Sequence, residues 1–424
     1  MKKANEYGFL PGNDGESNAR ALQSALIGGG EVIVESAGIY DISETILVDD
    51  GTTLIFAEGT QVRRQPSKKG ISTPLLLNRG YATETYNKNI TIIGLHIDCN
   101  GVENEEYGFD ASCIGLRAHV GMIFIKDLVI RDYECVGLLK EDYGIQISAF
   151  ENVLIENVYC EGDKDGVHLG WGRNFVIRHG KFRTFDDPIA LNAFDYSTSN
   201  THVGWIENGL IEDCYDLDDR STTGYFCRIL GGAWCDWKKG MAVQHSDTVC
   251  HNGMVYRAVL QPDGNFRISN VPPTHSEPWV AKEYGGIKWV RVRNEAVYDC
   301  GCRNITIRNI HLQKKRNVAI AISLNNDVWA RSYVAGCTPV PQENITLENI
   351  CIENEIATLL DSNHPCDNLT VADTDLKSSS ITFRSEPLDA LAYPTVNLTL
   401  KNVTSTADPV VTDGKHAVNL AKIR

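Results

Sequence analysis

The feature that most constrains this chain is a repeat with a fixed step. Gly144-Ile-Gln-Ile, Gly166-Val-His-Leu and Pro188-Ile-Ala-Leu begin 22 residues apart, and Asn152-Val-Leu-Ile precedes Asn174-Phe-Val-Ile by the same 22. Self-similarity at such a period marks a solenoid. Alternation within the segments places Ile145, Val167 and Ile189 in one inward apolar column and Ile147, Leu169 and Leu191 in a second, with Gln146, His168 and Ala190 facing out. Short apolar strands with Gly or Asn corners, stacked at about 4.8 Å, describe a right-handed parallel β-helix, an all-β single-stranded solenoid. A β-sandwich does not demand so constant a step.

The same corner recurs as Asn89-Ile-Thr-Ile, Asn304-Ile-Thr-Ile, Asn344-Ile-Thr-Leu, Asn368-Leu-Thr-Val and Asn397-Leu-Thr-Leu. Each also matches a glycosylation sequon. Asn tolerates the left-handed backbone of a tight corner and can hydrogen-bond to the coil beneath, so a structural role is the expectation.

A solenoid must cover its open ends. Ser17 to Ile27 reads as an amphipathic helix with Ala21, Leu22, Ala25 and Leu26 on one face, stopped by Gly28-Gly-Gly, and suits a cap on the first coil. Short strands follow at Val32-Ile-Val, Thr45-Ile-Leu-Val and Thr53-Leu-Ile-Phe. The rhythm breaks from about Trp234 to Trp289 and resumes at Asn304. The expected organisation is therefore a β-helix over residues 1–233 with capping helix and acidic coils, a small β-rich insertion over 234–290, and closing coils over 291–424. The insertion resembles small carbohydrate-binding modules in its Gly253-Met-Val-Tyr256 strand and in ending on a Trp. Equally, its tryptophans could simply fill a core too small to hold together otherwise.

Composition narrows the partners. A net charge of -15 disfavours nucleic acid and membrane surfaces held by counterion release. No stretch reaches the roughly 18 to 20 apolar residues of a membrane span, and Met1 to Asn13 lacks the apolar centre of a signal peptide. The expectation is a soluble chain, cytoplasmic, or secreted or periplasmic if a leader was trimmed. Thirteen cysteines fall without facing CxxC pairs, so reduced buried thiols are expected, with no disulfide framework, no metal and no cofactor. Oligomeric state is not readable from these features.

The repeat also orders the polar positions. Asp165 and Asp187 are one 22-residue step apart, which stacks them on the same outward face, and Asp186 adds a third acid at its edge. Like charges at stacking distance repel and drive one pKa upward. Such a pair has no value for stability. Glycoside hydrolysis, by contrast, requires a carboxylic acid to protonate the leaving oxygen and a carboxylate to activate water or attack the sugar.

Gly162-Asp-Lys-Asp165-Gly166 followed by Phe185-Asp186-Asp187-Pro188-Ile189-Ala190 resembles the polygalacturonase-like glycoside hydrolases (family 28) of the pectin-lyase-like superfamily, whose Asn-Thr-Asp-Gly segment precedes Asp-Asp-Cys-Ile-Ala by about one coil. The resemblance implies that Asp165 and Asp187 hold the attacking water, that Asp186 donates the proton, and that the anomeric carbon is inverted. The opening helix and the Val32-Ile-Val-Glu-Ser-Ala-Gly38-Ile-Tyr40 strand-turn also resemble the start of many pectin-lyase-like chains. The family's Gly-His-Gly turn and Arg-Ile-Lys strand are missing. Tyr225-Phe-Cys-Arg228 stands in that region, so Arg228 is either a partial replacement for the uronate grip or a surface ion-pair partner.

Three further residues complete the expected substrate-binding set with Arg228. His168 follows Asp165 by three on the outward face, where it could contact a sugar or tune the acids, or merely cover the coil. Trp171 could stack on a sugar ring, and Asn192 lies beside the same face. The basic run Arg178, His179, Lys181 and Arg183 reads as a solvated loop. The partner expected is a carbohydrate, as substrate of a hydrolase of pectin-like or related glycans. Two alternatives stand beside it: a polysaccharide lyase binding calcium at Asp165 and Asp187, and a non-catalytic glycan-binding protein or adhesin.

Overall fold

The computed structural model describes residues 1–67, 74–102, 115–197, 199–220, 224–326, 329–331, 337–384, 395–414 and 417–423. Among the described residues, twenty-six strands join in one continuous parallel sheet system wound as a right-handed β-helix. The 22-residue register is exact where the sequence shows it: Ile145 pairs with Val167, Gln146 with His168 and Ile147 with Leu169, and Val167, His168 and Leu169 pair in turn with Ile189, Ala190 and Leu191.

Inward columns make the core. Ile145, Val167, Ile189, Cys227, Ile320, Leu360 and Ile381 stack through seven successive coils, all buried. Each such aliphatic side chain contributes about 1.5–3 kcal/mol by leaving water. Cysteines share the interior as small hydrophobes: Cys214, Cys227 and Cys302 are free and fully buried.

The corners are held by an asparagine ladder. Each Nδ2 donates to the side chain one coil below: Asn152 to Asp127, Asn174 to Asn152, Asn208 to Asn174, Asn304 to Asn208, Asn344 to Asn304 and Asn368 to Asn344, all at 2.8–3.0 Å. Asn397 continues the pattern onto Asp367 at 2.8 Å. Every one of these rungs from Asn152 to Asn368 has a positive φ of 54–60°, the left-handed corner that Asn tolerates.

The rungs also show where the step is not constant. Their separations are 25, 22, 34, 96, 40 and 24 residues, so coils lengthen by excursions that leave the helix and return in register. The longest holds a five-stranded, mainly antiparallel sheet built from strands between Cys235 and Arg293. Its own core is Val243, Val249, Tyr256, Ala258, Ile287 and Trp289, with Trp237 packed against it.

The amphipathic helix runs Gly15–Leu26, beginning two residues before Ser17 because the Asp14 carboxylate accepts from Ser17 N at 2.9 Å and sets the N-cap. It buries Ala21, Leu22, Ala25 and Leu26 into the main core, at the first coils. Among the described residues no helix is long and apolar enough to cross a membrane.

Candidate active site

The acids meet because the backbone register carries them there. Gly166 N donates to the Asp187 carbonyl and Gly144 N to that of Asp165, both at 3.0 Å, so positions 165 and 187 occupy equivalent corners of adjacent coils. Carboxylate oxygens of Asp165, Asp186 and Asp187 converge within 4.8 Å of one another. Asp165 and Asp187 are buried, whereas Asp186 keeps 27% of its side chain exposed and forms the solvent edge.

Each acid has a different partner. Asp165 Oδ2 lies 2.9 Å from His168 Nδ1. Asp187 Oδ1 accepts from Tyr225 N at 2.8 Å, and its Oδ2 sits 2.9 Å from Arg228 Nε without the alignment of a hydrogen bond. Asp186 pairs with Lys164, which stands one 22-residue step below it. Sequence reasoning passed over Lys164, although the step that stacks Asp187 on Asp165 also stacks Asp186 on Lys164.

The charges are pushed apart by these surroundings. For Asp165, burial works to raise the pKa, but Lys164, His168 and Arg228 outweigh it and hold the carboxyl at about 2. For Asp187, burial wins: the pKa rises to about 7, against Arg228 and the Tyr225 N–H and with help from Asp186 and Asp165. At neutral pH the cluster thus holds an ionised carboxylate, Asp165, beside a carboxyl, Asp187, about half protonated.

A wall closes the inner side. Arg228 pairs in register with Ala190, one coil beyond the acids, and its Nη2 also faces Asp195 at 3.9 Å. Asp195 is itself fixed by Asn192 Nδ2 at 2.7 Å, Ser199 Oγ at 3.0 Å and Tyr196 N at 2.8 Å. Tyr143 stacks flat on His168, with ring centroids 4.5 Å apart, which keeps the imidazole turned to Asp165. Asp195, Tyr196 and Ser199 lie on the excursion that lengthens one coil to 34 residues, off the regular step, and so were not legible as neighbours of the acids.

Several polar atoms here are buried without a hydrogen-bond partner: Asp165 Oδ1, His168 Nε2, Asp187 Oδ2 and Asn192 Oδ1. Such atoms in one cluster leave room for a water or a ligand group to complete them.

Gly224 shows how closely the floor is built. A Cβ there would come within 2.7 Å of the Asp186 backbone, and the Gly224 carbonyl accepts from Arg316 Nη1 at 2.6 Å. Arg316 is fully buried in a bidentate pair with Asp216, at 2.6 and 2.9 Å. That pair fixes the peptide whose next N–H meets Asp187.

Of the residues expected at the site, the structure brings together Asp165, Asp186, Asp187, His168 and Arg228, with Asn192 joined through Asp195. Trp171 shares none of these contacts. One face of its ring is covered by the Arg293 guanidinium at 3.7 Å, and it packs beside Phe124. An aromatic the sequence did not single out is better presented: Trp329 is 45% exposed and leans on Tyr196 at 5.3 Å. The basic run is paired at the surface, Arg178 with Glu156 and Arg183 with Glu161. An open groove of about 870 Å³ runs along the asparagine ladder, between Asn152, Asn174 and Asn208 and the outward Leu154, Val176 and Leu210. This groove and the acid cluster therefore fall on different corners of the coil.

The architecture is that of a parallel β-helix, and solved structures share it. The pneumococcal surface adhesin PfbA of Streptococcus pneumoniae aligns with a TM-score of 0.50 at 15% identity, over 100% of this chain and 91% of its own. Pre-mature gene product 12 of bacteriophage phi29 aligns at 0.50 and 14% identity over 99% of this chain, which spans 55% of that protein. A family 28 exopolygalacturonase of Yersinia enterocolitica aligns at 0.49 and 12%, over 99% of this chain and 77% of that one. At these identities the likeness shows the fold alone. No family model matches the chain, and no curated protein matches it.

Proposed function

We propose that the protein is a glycan hydrolase whose reacting groups are Asp165, Asp186 and Asp187. The observation that carries this reading is the convergence of three carboxyls within 4.8 Å, with buried Asp165 held down to about 2 and buried Asp187 raised to about 7. A pair of acids whose environments drive them apart supplies the base and the acid that glycosidic cleavage needs. Asp165, ionised and hydrogen-bonded to His168, suits the base that takes a proton from water. Asp187, with its carboxyl raised to about 7, is the member that keeps a share of its protons at neutral pH. The resemblance to family 28 gives the donor's place to Asp186 instead, which pairs with Lys164 at the solvent edge of the cluster. The raised carboxyl of Asp187 supports giving it the donor's role in place of Asp186.

The sugar would approach from the side where Asp186, Lys164 and Arg228 reach solvent, with Trp329 and Tyr196 as an aromatic rim. Lys164 and Arg228 offset the negative charge that a calcium ion would offset in a lyase. They also suit an anionic or hydroxyl-rich glycan. Inversion remains the stereochemical outcome implied by the family resemblance, and proton NMR of the first-formed anomer reads it.

A second reading is favoured by the burial of Asp165 and Asp187: a glycan-binding protein without turnover, whose acids hold the coil's shape and whose ligand lies along the ladder groove. A panel of pectic and microbial glycans, assayed for reducing ends with wild type, Asp186→Asn and Asp187→Asn, separates the two. Hydrolysis requires release by wild type and its loss in Asp187→Asn. Binding with no release from any glycan would support the second reading and overturn the first.

A further inference from the structure

Away from the acids, three soft-metal ligands meet inside the coil. Cys99 follows the strand His96–Asp98, His119 is the second residue of the strand Ala118–Leu138, and Cys135 lies near that strand's end. The peptide of Cys99 bonds to the Val136 carbonyl at 3.0 Å, which sets the two cysteines side by side on adjacent coils. Their sulfurs are 3.7 Å apart, and Cys99 Sγ is 3.1 Å from His119 Nε2. The three ligand atoms all lie within 4.8 Å of one another, and none of the three residues is more than 3% exposed.

The spacing matches a known geometry. Two thiolates at about 2.3 Å from a tetrahedral zinc ion stand about 3.7 Å apart. The carboxylate of Asp142 adjoins the group, its Oδ2 3.8 Å from His119 Nε2. Charge also closes. Two thiolates cancel a dication, and Asp142 faces the guanidinium of Arg64, buried in the same group of residues. Elsewhere in the core Cys214 sits without a histidine.

We propose that Cys99, Cys135 and His119 bind a zinc-class dication inside the β-helix, with Asp142 as the acid that adjoins His119. No CxxC motif announces the site, because its ligands are assembled by coil register from positions 20 and 16 residues apart. The ion would tie Cys99, just past the strand His96–Asp98, to His119 in the strand Ala118–Leu138. Gly115 and Arg117, shortly before His119, make contacts that reach the acid site: Gln146 Nε2 donates to Gly115 O, and Arg117 Nη1 to the Tyr196 hydroxyl at 3.0 Å. The metal would therefore hold one wall of the candidate active site from behind, while taking no part in its chemistry.

Metal analysis of the full chain, purified after expression with added zinc, tests the proposal. About one zinc per chain is expected, retained in Cys214→Ser and lost in the Cys99→Ser, Cys135→Ser pair. Should the paired variant fail to fold, the wild-type chain loaded with cobalt(II) still decides: a thiolate-to-cobalt charge-transfer band is expected, and it weakens in Cys135→Ser. Asp142→Asn should loosen zinc by about 10- to 100-fold. Zinc-free wild type that shows no cobalt band, or a native mass two hydrogens short from a Cys99–Cys135 disulfide, would overturn it.

Discussion

Two corners of the same coil repeat one side chain at the same step, with opposite results. At one corner Asn174 stands on Asn152, and at the other Asp187 stands on Asp165, each pair 22 residues apart. An amide both donates and accepts, so the asparagine column satisfies itself rung by rung and tolerates exposure to water. An ionised carboxylate only accepts. The aspartate column is therefore built with Lys164, Arg228, His168 and the Tyr225 N–H around it, and still keeps Asp187 half protonated near neutral pH. The coil gains cohesion at the first corner and spends stability at the second. Repetition of a residue in a solenoid thus has two meanings, and the hydrogen-bonding capacity of the side chain decides between them.

The sharpest way to break this contrast is at the acids. Asp165→Asn removes the ionised member, and kcat/KM on a responsive glycan should fall by about 10²- to 10⁴-fold. A smaller effect follows from pH. With Asp187 as proton carrier, kcat/KM should decline as pH rises through about 7, by tenfold per unit beyond it. Because the Arg228 charge lowers the Asp187 pKa, Arg228→Gln should move that decline to higher pH. A rate that instead rises through pH 7 would return the donor role to Asp186.

The least of these effects belongs to the ladder. Asn174→Asp would take away the donor to Asn152 Oδ1 and set a carboxylate beside it, so stability to denaturant should drop by about 1–2 kcal/mol with activity unchanged. A stabilised Asn174→Asp would show that the rungs do not differ from the acids in kind.

How much of this was legible depended on where the step held. Between Tyr143 and Leu191 each coil takes 22 residues, so the inward columns, the Asn152 and Asn174 rungs and the approach of Asp187 to Asp165 all followed from counting. Lys164 was legible by the same count and needed only to be asked for. Asp195 and Tyr196 were not, because the coil that follows lengthens to 34 residues and its extra chain folds over the acids rather than continuing the helix. The surroundings of Trp171 were hidden for a related reason: it lies just past the outward strand, where Arg293 of the longest excursion comes to cover one face of its ring. Local periodicity fixes what stacks, whereas what is laid over the stack depends on lengths that carry no period.

The most direct test of the central claim, that the aspartate column is kept for chemistry at a cost in stability, is Asp187→Asn measured for turnover and thermal stability together at pH 8. Asp187 has a folded pKa of about 7 against an ordinary 3.8, so its stabilising contribution is complete below pH 3.8 and lost as pH rises through 7. The neutral amide keeps the acceptor for Tyr225 N and removes the repulsion. The account expects turnover to vanish while the midpoint rises, by the equivalent of about 1 kcal/mol. A midpoint that falls, with turnover intact or absent from the start, would contradict it.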